Sequence, residues 1–420
     1  MNKNIITNRK LPIYSFFARV VMLILLLSQV LQTYGYGKYN ITFILMTLLS
    51  LVYVTRYGFR LYSLPKIIGL YFVYWLIIHI VTAVSLMEMI PFGTVKTFLI
   101  FLMLFNIFEI NYFIRYYRVI ALVFIIFFFF QEFTYFTTGL RIPGVADSLP
   151  LALDVEDETS YFSRVETMDR SSSFFSEPSH FAQFLIPLYA IELYKNHKGH
   201  FLFALIVGLT ILMTQTGNGL IGLAVVSSIY VIHITFRRGT WGSRVLILII
   251  ALATLSIATS MFMNTERGEK LFERQDQLSG RDDASSGDTS GFVRIFRGYF
   301  IYSDYSLADK IIGVDSPTRL KSYIKQSDFS YTFAENDTYF NCFQTFLLHT
   351  GLVGAIFFFI IMTYFWRQAD PCGRAVLSAL FVLSFVASIY FREIMAIYLL
   401  TSFYSKDYKG NHTTPIMIRK

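Results

Sequence analysis

The chain has 420 residues, of which 55% are hydrophobic, 18% aromatic and only 15% charged, and its mean hydropathy is +0.52. A soluble domain averages about 25% charged residues, so this composition excludes an ordinary soluble enzyme and points to a membrane protein. Lys and Arg (36) outnumber Asp and Glu (28); in a chain this apolar the excess reads as loop charge that sets topology, not as a nucleic-acid surface.

About twelve apolar segments follow one another, at 14–34, 39–55, 67–86, 97–113, 119–137, 176–194, 201–216, 218–236, 245–263, 339–366, 375–390 and 393–404. Most approach the length that a ~30 Å hydrocarbon core demands of a helix. The basic start "MNKNIITNRK" precedes the first, and no small-x-small cleavage site follows it, so the first segment reads as a retained span. With the N-terminus inside, the basic residues fall into the inner segments: Lys3, Arg9 and Lys10; Arg56, Arg60 and Lys66; Arg115 and Arg118; Lys195 and Lys198; Arg237, Arg238 and Arg244; Arg367 and Arg374; and the tail from Lys406. Short outer loops carry only Lys38, Lys96 and Arg392. This asymmetry puts both termini in the cytoplasm and requires an even number of spans. The segment 393–404 is too short to cross alone unless Tyr404 anchors it at the interface.

Two outer loops are long, roughly 138–175 with the acidic run Asp154 to Glu158, and roughly 264–338. No inverted repeat of the kind that marks many transporters occurs, and the lack of a glycine-rich phosphate loop and of a sizeable inner soluble domain argues against a cytoplasmic ATPase or kinase. Cys342 and Cys372 form no secreted-type spacing, so no disulfide framework is expected. The predicted fold is therefore all-α, a single polytopic integral membrane domain over residues 1–420.

Polar residues that bilayer folding does not require gather at four places on the outer side. In "RSSSFFSEPSHF", Arg170 to Phe181, Pro178 marks the first turn of a helix whose N–H groups and partial positive charge suit an anion. Ser176 and Glu177 either cap that helix or do chemistry there, and His180 is either packing or functional. In "TQTGNGLIGL", Gly217, Gly219 and Gly222 suit a tight turn and close helix packing, with Gln215 and Asn218 placed to line a sugar site. In the second long loop, Arg294 and Arg297 are three apart and share a helix face, either gripping an anion or lying on a solvated amphipathic helix. The aspartates of "GRDDASSGDTSG" lack the alternating pattern of a calcium loop, and no metal is expected. Finally Glu335, Asn336 and Asp337 precede a span that Asp337 or Thr338 caps; Gly351 and Gly354 are small-residue contacts within it, and His349 is buried in the bundle.

Together these features resemble the Wzy-type polymerases of bacterial O-antigen, capsule and exopolysaccharide, within the O-antigen polymerase and ligase superfamily. The resemblance lies in Arg170, Ser173, Phe174, Glu177 and Pro178 opening a mid-chain span. It extends to the paired Arg294 and Arg297 followed by "KIIGVDS", and to Asn336 and Asp337 before Gly351 and Gly354. Two positions depart from the pattern: Asp315 stands where the Gly-x-Gly segment has its second glycine, and Glu335 stands where a histidine precedes Asn336. The resemblance implies a GT-C-like membrane glycosyltransferase without metal or cofactor. It would polymerise undecaprenyl-pyrophosphate-linked oligosaccharides on the outer face of the cytoplasmic membrane, beside a repeat-unit flippase and a chain-length regulator and with no nucleic acid. Arg170, with Arg294 or Arg297, would hold the pyrophosphate; Glu177 leads as the base, with Asp337 next; Ser173, His180, Asn336 and His349 would contact substrate. A ligase joining finished polymer to a lipid A core shares these features; a flippase or transporter should show charges deep in several spans, which are scarce here.

Overall fold

A computed structural model describes residues 12–36, 39–61, 63–146, 149–152, 170–195, 198–238, 290–327 and 340–408. The segment expected at 245–263, the run Asp154 to Glu158, and Glu335, Asn336 and Asp337 lie outside the described residues. The described chain is almost entirely helical. Helices α1 (Pro12–Leu31), α2 (Ile41–Tyr57), α3 (Lys66–Thr82), α4 (Phe92–Ile107) and α5 (Ile110–Thr138) form the first half. Next come α6 (Pro178–Tyr194), α7 (Lys198–Met213) and α8 (Gly217–Arg238), and then three helices of the second long loop, α9 (Ser290–Ser303), α10 (Leu307–Ile312) and α11 (Pro317–Gln326). The last three are α12 (Cys342–Gln368), α13 (Pro371–Leu383) and α14 (Glu393–Tyr404). A two-stranded hairpin, β1 (Gly35–Tyr36) with β2 (Tyr39–Asn40), joins α1 to α2.

Among the described residues three helices are long and apolar enough to cross a membrane: Ile110–Thr138, Gly217–Phe236 and Cys342–Gln368. Shorter apolar helices pack beside them. Large apolar side chains cover the outside of the bundle, among them Leu70, Val73, Ile77, Val123, Ile126 and Phe133. Water would penalise such a surface heavily, whereas lipid accepts it, and the chain is accordingly membrane-associated.

The centre of the bundle is α6. Every residue from Phe181 to Leu193 is buried, against α7, α8 and α13, as expected of a helix that is apolar all round. Its contact with α8 runs over glycine: a Cβ on Gly219 would come within 2.8 Å of the Ala182 Cβ, and one on Gly222 within 2.2 Å of the Ile186 side chain. Gly219 and Gly222 thus serve close helix packing, as expected, whereas Gly217 has open space around it.

Two boundaries and one placement differ from expectation. The turn before α5 falls at Phe108 and Glu109, so Arg115 and Arg118 lie on the helix and not in a loop. Arg118 reaches the buried Glu192 with its Nε (2.5 Å), which gives the cation a partner at the helix end. α12 starts at Cys342, and its cap is Asn341, not Asp337 or Thr338. The Asn341 side chain accepts from the Gln344 N–H (2.8 Å) while Gln344 returns a bond to the Asn341 N–H, a capping box that outcompetes earlier positions. α14, the short 393–404 segment, is buried from Ile394 to Ser402 and is an interior helix rather than a lipid-facing one.

Hairpin alternation gathers the described residues 32–36, 83–91, 139–146, 149–152, 170–177 and 214–216 and helices α9–α11 at one end of the bundle. Hydrogen bonds tie several of these together: Gly35 N–H to the Pro150 carbonyl (2.9 Å), Ser316 Oγ to Glu88 (2.8 Å) and Arg170 to the Gln215 carbonyl (2.9 Å).

Candidate functional site

Two polar groups stand at that end. The first is the mouth of α6. Glu177 is its N-terminal residue, in extended conformation, with Pro178 in the first turn. Its side chain makes no capping bond; its carboxylate accepts from Ser179 Oγ (3.0 Å). The capping role proposed for this carboxylate is therefore not the one it plays. Arg170 donates from Nη1 to the Gln215 carbonyl in the α7–α8 turn, and His180 Nδ1 lies 3.5 Å from Ser176 Oγ. All four of Arg170, Ser176, Glu177 and His180 are half-buried.

Ser173 sits differently. It is fully buried at φ 54°, its N–H donates to Gln131 Oε1 (2.8 Å) and its hydroxyl donates to the Phe124 carbonyl (2.7 Å). Gln131 Nε2 also donates to the Ile142 carbonyl (2.9 Å). Gly144 lies so close that a Cβ there would come within 1.6 Å of the Ser173 carbonyl oxygen. Ser173 is thus the pin that fixes this segment to α5. Arg141 completes the support, donating to Ser171 Oγ (2.8 Å) and Glu132 (3.2 Å).

Helices α9–α11 form a small cap with its own apolar cluster of Ile301, Tyr305, Val314, Leu320, Ile324, Phe340 and Leu348. The expected helix through Arg294 and Arg297 is present as α9. Arg297 is fully buried, its guanidinium 5.4 Å from the centre of the Phe340 ring, so it lies inside the cap and not on a solvated face. α9 rests on the first turn of α12, where a Cβ on Gly298 would meet the Gln344 side chain at 2.7 Å.

The second polar group was not anticipated as a group. α12 breaks at Gly351, whose backbone is non-helical with φ 63°. The break frees carbonyls of the preceding turn. Leu348 O accepts from Val314 N–H (2.8 Å), and Thr350 O accepts from Tyr74 OH (3.2 Å). Gly313, at φ 90°, crosses this break so closely that a Cβ on it would lie 2.5 Å from the Gly351 nitrogen. The loop "IIGVDS" is thereby docked against α12, and Asp315 enters the space between α3 and α12.

There the Asp315 carboxylate meets three donors. His79 Nδ1 lies 2.6 Å and Trp75 Nε1 2.8 Å from Oδ2, both from α3, and His349 Nδ1 from α12 bonds to Oδ1. The Asp315 N–H donates to Thr82 Oγ1 (3.2 Å). Glu88 braces the loop by accepting from Ser316 Oγ and Thr318 Oγ1. Burial alone pushes the Asp315 carboxyl up, but the bonds and charge from His349 and His79 more than offset it and hold the group below the usual carboxylate range. Glu88 is also held low, chiefly by the Thr318 hydroxyl.

A carboxylate that accepts from both Nδ1 atoms places a proton on each Nδ1, so that a neutral ring here carries its lone pair on Nε2. The two Nε2 atoms differ in access. His79 Nε2 is buried against the backbone of Glu88. The His349 side chain is 26% exposed and its Nε2 is open. Among the described residues no three His, Cys, Asp or Glu side chains are grouped to hold a metal ion.

The structure therefore keeps Arg170, Glu177 and His180 together, gives Ser173 a structural place, buries Arg297 in the cap, and moves His349 into a partnership with Asp315. For Arg294 only the backbone is described. Sequence reasoning missed His79, Trp75 and Asp315. A signal for His79 existed, since it is an ionisable side chain inside a predicted span; Asp315 was visible only as a missing glycine.

No family model and no curated protein matches this chain.

Proposed function

We propose that the protein is a multi-pass glycosyltransferase of the bacterial cytoplasmic membrane, a Wzy-type polymerase that joins undecaprenyl-pyrophosphate-linked repeat units into surface polysaccharide. On this reading the chain crosses the membrane about twelve times in a GT-C-like arrangement, both termini are cytoplasmic, and the end bearing Arg170 and Asp315 faces outward. One observation carries it: the signature Arg170, Ser173, Phe174, Glu177, Pro178 opens the helix at the centre of an apolar bundle, with Arg170 and Glu177 at its mouth.

The reaction requires a pyrophosphate leaving group to be stabilised, an acceptor hydroxyl to be deprotonated, and two lipid carriers to approach side by side. The N–H groups at the start of α6 together with Arg170 suit the anion, with Arg294 of the cap helix α9 as a further cation. The apolar exterior suits the carriers.

Deleting the gene and resolving surface polysaccharide on a gel tests the reading. A ladder collapsing to a single repeat is expected. An unchanged ladder overturns it, and loss of surface polysaccharide with long polymer retained on the carrier makes the protein a ligase instead.

A further inference from the structure

We propose that His349 takes the proton from the acceptor hydroxyl, with Asp315 and His79 as its positioning groups; this rests on the polymerase reading above. One carboxylate holds two imidazoles by the same nitrogen, yet only one of them presents its other nitrogen to the outside. His79 is closed off and cannot reach a substrate, so its bond fixes the carboxylate. Trp75 does the same from one turn earlier on α3. His349 is held from behind and open in front, which is the arrangement a general base requires.

The place is also right for the chemistry. Gly298 rests on the first turn of α12, Arg297 lies over Phe340 just before it, and His349 follows Gln344 by about 7.5 Å of helical rise. A pyrophosphate held at the same end of the bundle by Arg170 and the N–H groups of α6 would present its anomeric carbon toward this part of α12. In the step, the acceptor oxygen bonds to the anomeric carbon as its proton passes to His349 Nε2. The bond from that carbon to the pyrophosphate oxygen breaks, and its electron pair leaves with the lipid pyrophosphate. The imidazolium is stabilised through Nδ1–H by Asp315 and then returns its proton to water.

Asp315→Asn has a specific expected fault. The side of the carboxylate that faces both His79 and Trp75 needs an acceptor, so the amide oxygen turns there and the NH₂ faces His349. That donor forces His349 into the Nε2–H tautomer, which cannot accept a proton.

The test uses purified full-length protein in lipid nanodiscs with lipid-pyrophosphate-linked repeat units. His349→Gln, which can still donate to Asp315, should polymerise at least about 100-fold more slowly, and His349→Ala should recover several-fold with added imidazole. Asp315→Asn should lower turnover while leaving the half-saturating substrate concentration unchanged. Wild-type rates in His349→Gln overturn the base assignment and leave the polymerase reading standing. If the wild-type protein itself forms no polymer from these substrates, the polymerase reading fails. Should His349→Ala not fold, the Gln variant decides.

Discussion

The mouth of α6 and the nest around Asp315 both offer acid–base groups at the same end of the bundle, and they are assembled in opposite ways. Arg170, Glu177 and His180 fall within a dozen residues of one another, on a segment pinned by Ser173 to α5. The nest draws Trp75 and His79 from α3, Asp315 from the loop after α10 and His349 from α12; the Asp315–His79 pair is separated by 236 positions. At the mouth, a carboxylate meets a serine hydroxyl and is half-buried. In the nest, a carboxylate is buried under three N–H donors and serves as a holder. The lesson is chemical: a carboxylate with its lone pairs already spent orients a base, and the base is the group whose lone pair remains open.

The sharpest way to break this contrast is to neutralise one group on each side. His349→Gln should lose at least about 100-fold in polymerisation rate, whereas Glu177→Gln should stay within about tenfold of wild type, measured by chain assembly from lipid-linked repeats. The reverse order would return the base role to the mouth of α6. Arg170→Ala should stop polymer formation while single repeats persist on the carrier.

The next largest effect concerns the crossing that builds the nest. Gly351→Ala places a Cβ 2.4 Å from the Ile311 carbonyl oxygen at φ 63°, and backbone cannot move aside cheaply. A loss of about 3 kcal/mol or more is expected. Gly58→Ala, at φ 77° with nothing within 4 Å, carries the backbone strain without the clash and should cost less, about 1–3 kcal/mol. Thermal melting in detergent compares the two; equal losses would mean that the crossing is loose.

Ser173→Ala sharpens the contrast from the other side. Losing a buried hydroxyl bond should cost about 1–2 kcal/mol, with activity per folded molecule preserved. A large fall in activity at unchanged melting temperature would restore Ser173 as a substrate contact.

The smallest effect is a pH dependence. The folded Asp315 carboxyl titrates below its unfolded value, so its stabilisation is complete above about pH 4 and is lost as pH falls through the folded value. The melting temperature of the wild type should therefore drop more steeply below about pH 4 than that of Asp315→Asn. His79 and His349 face the carboxylate directly and Glu88 braces its loop, so Glu88→Gln is the control that separates their contributions.

Much of the helical layout was legible because long apolar runs admit one reading in lipid, and because glycine-rich contacts such as Gly219 and Gly222 leave a local trace. The mouth of α6 was legible because its residues are contiguous and Pro178 marks a helix start. The start of α12 was misread because acidic and hydroxyl residues at 337–338 also suit a cap, and only the reciprocal bonds of Asn341 and Gln344 decide the position. The nest was illegible for a different reason. Gly351 reads as a packing glycine until its φ is known, and Asp315 reads as a loop residue until Gly313 crosses Gly351 and carries it between α3 and α12.

The central claim, that this protein polymerises lipid-linked repeats, is tested most directly by giving the purified protein in nanodiscs a single undecaprenyl-pyrophosphate-linked repeat unit and resolving the products by length. The account predicts a ladder of repeats on the lipid carrier with release of undecaprenyl pyrophosphate. A product that remains one repeat long, from protein shown to be folded, contradicts it.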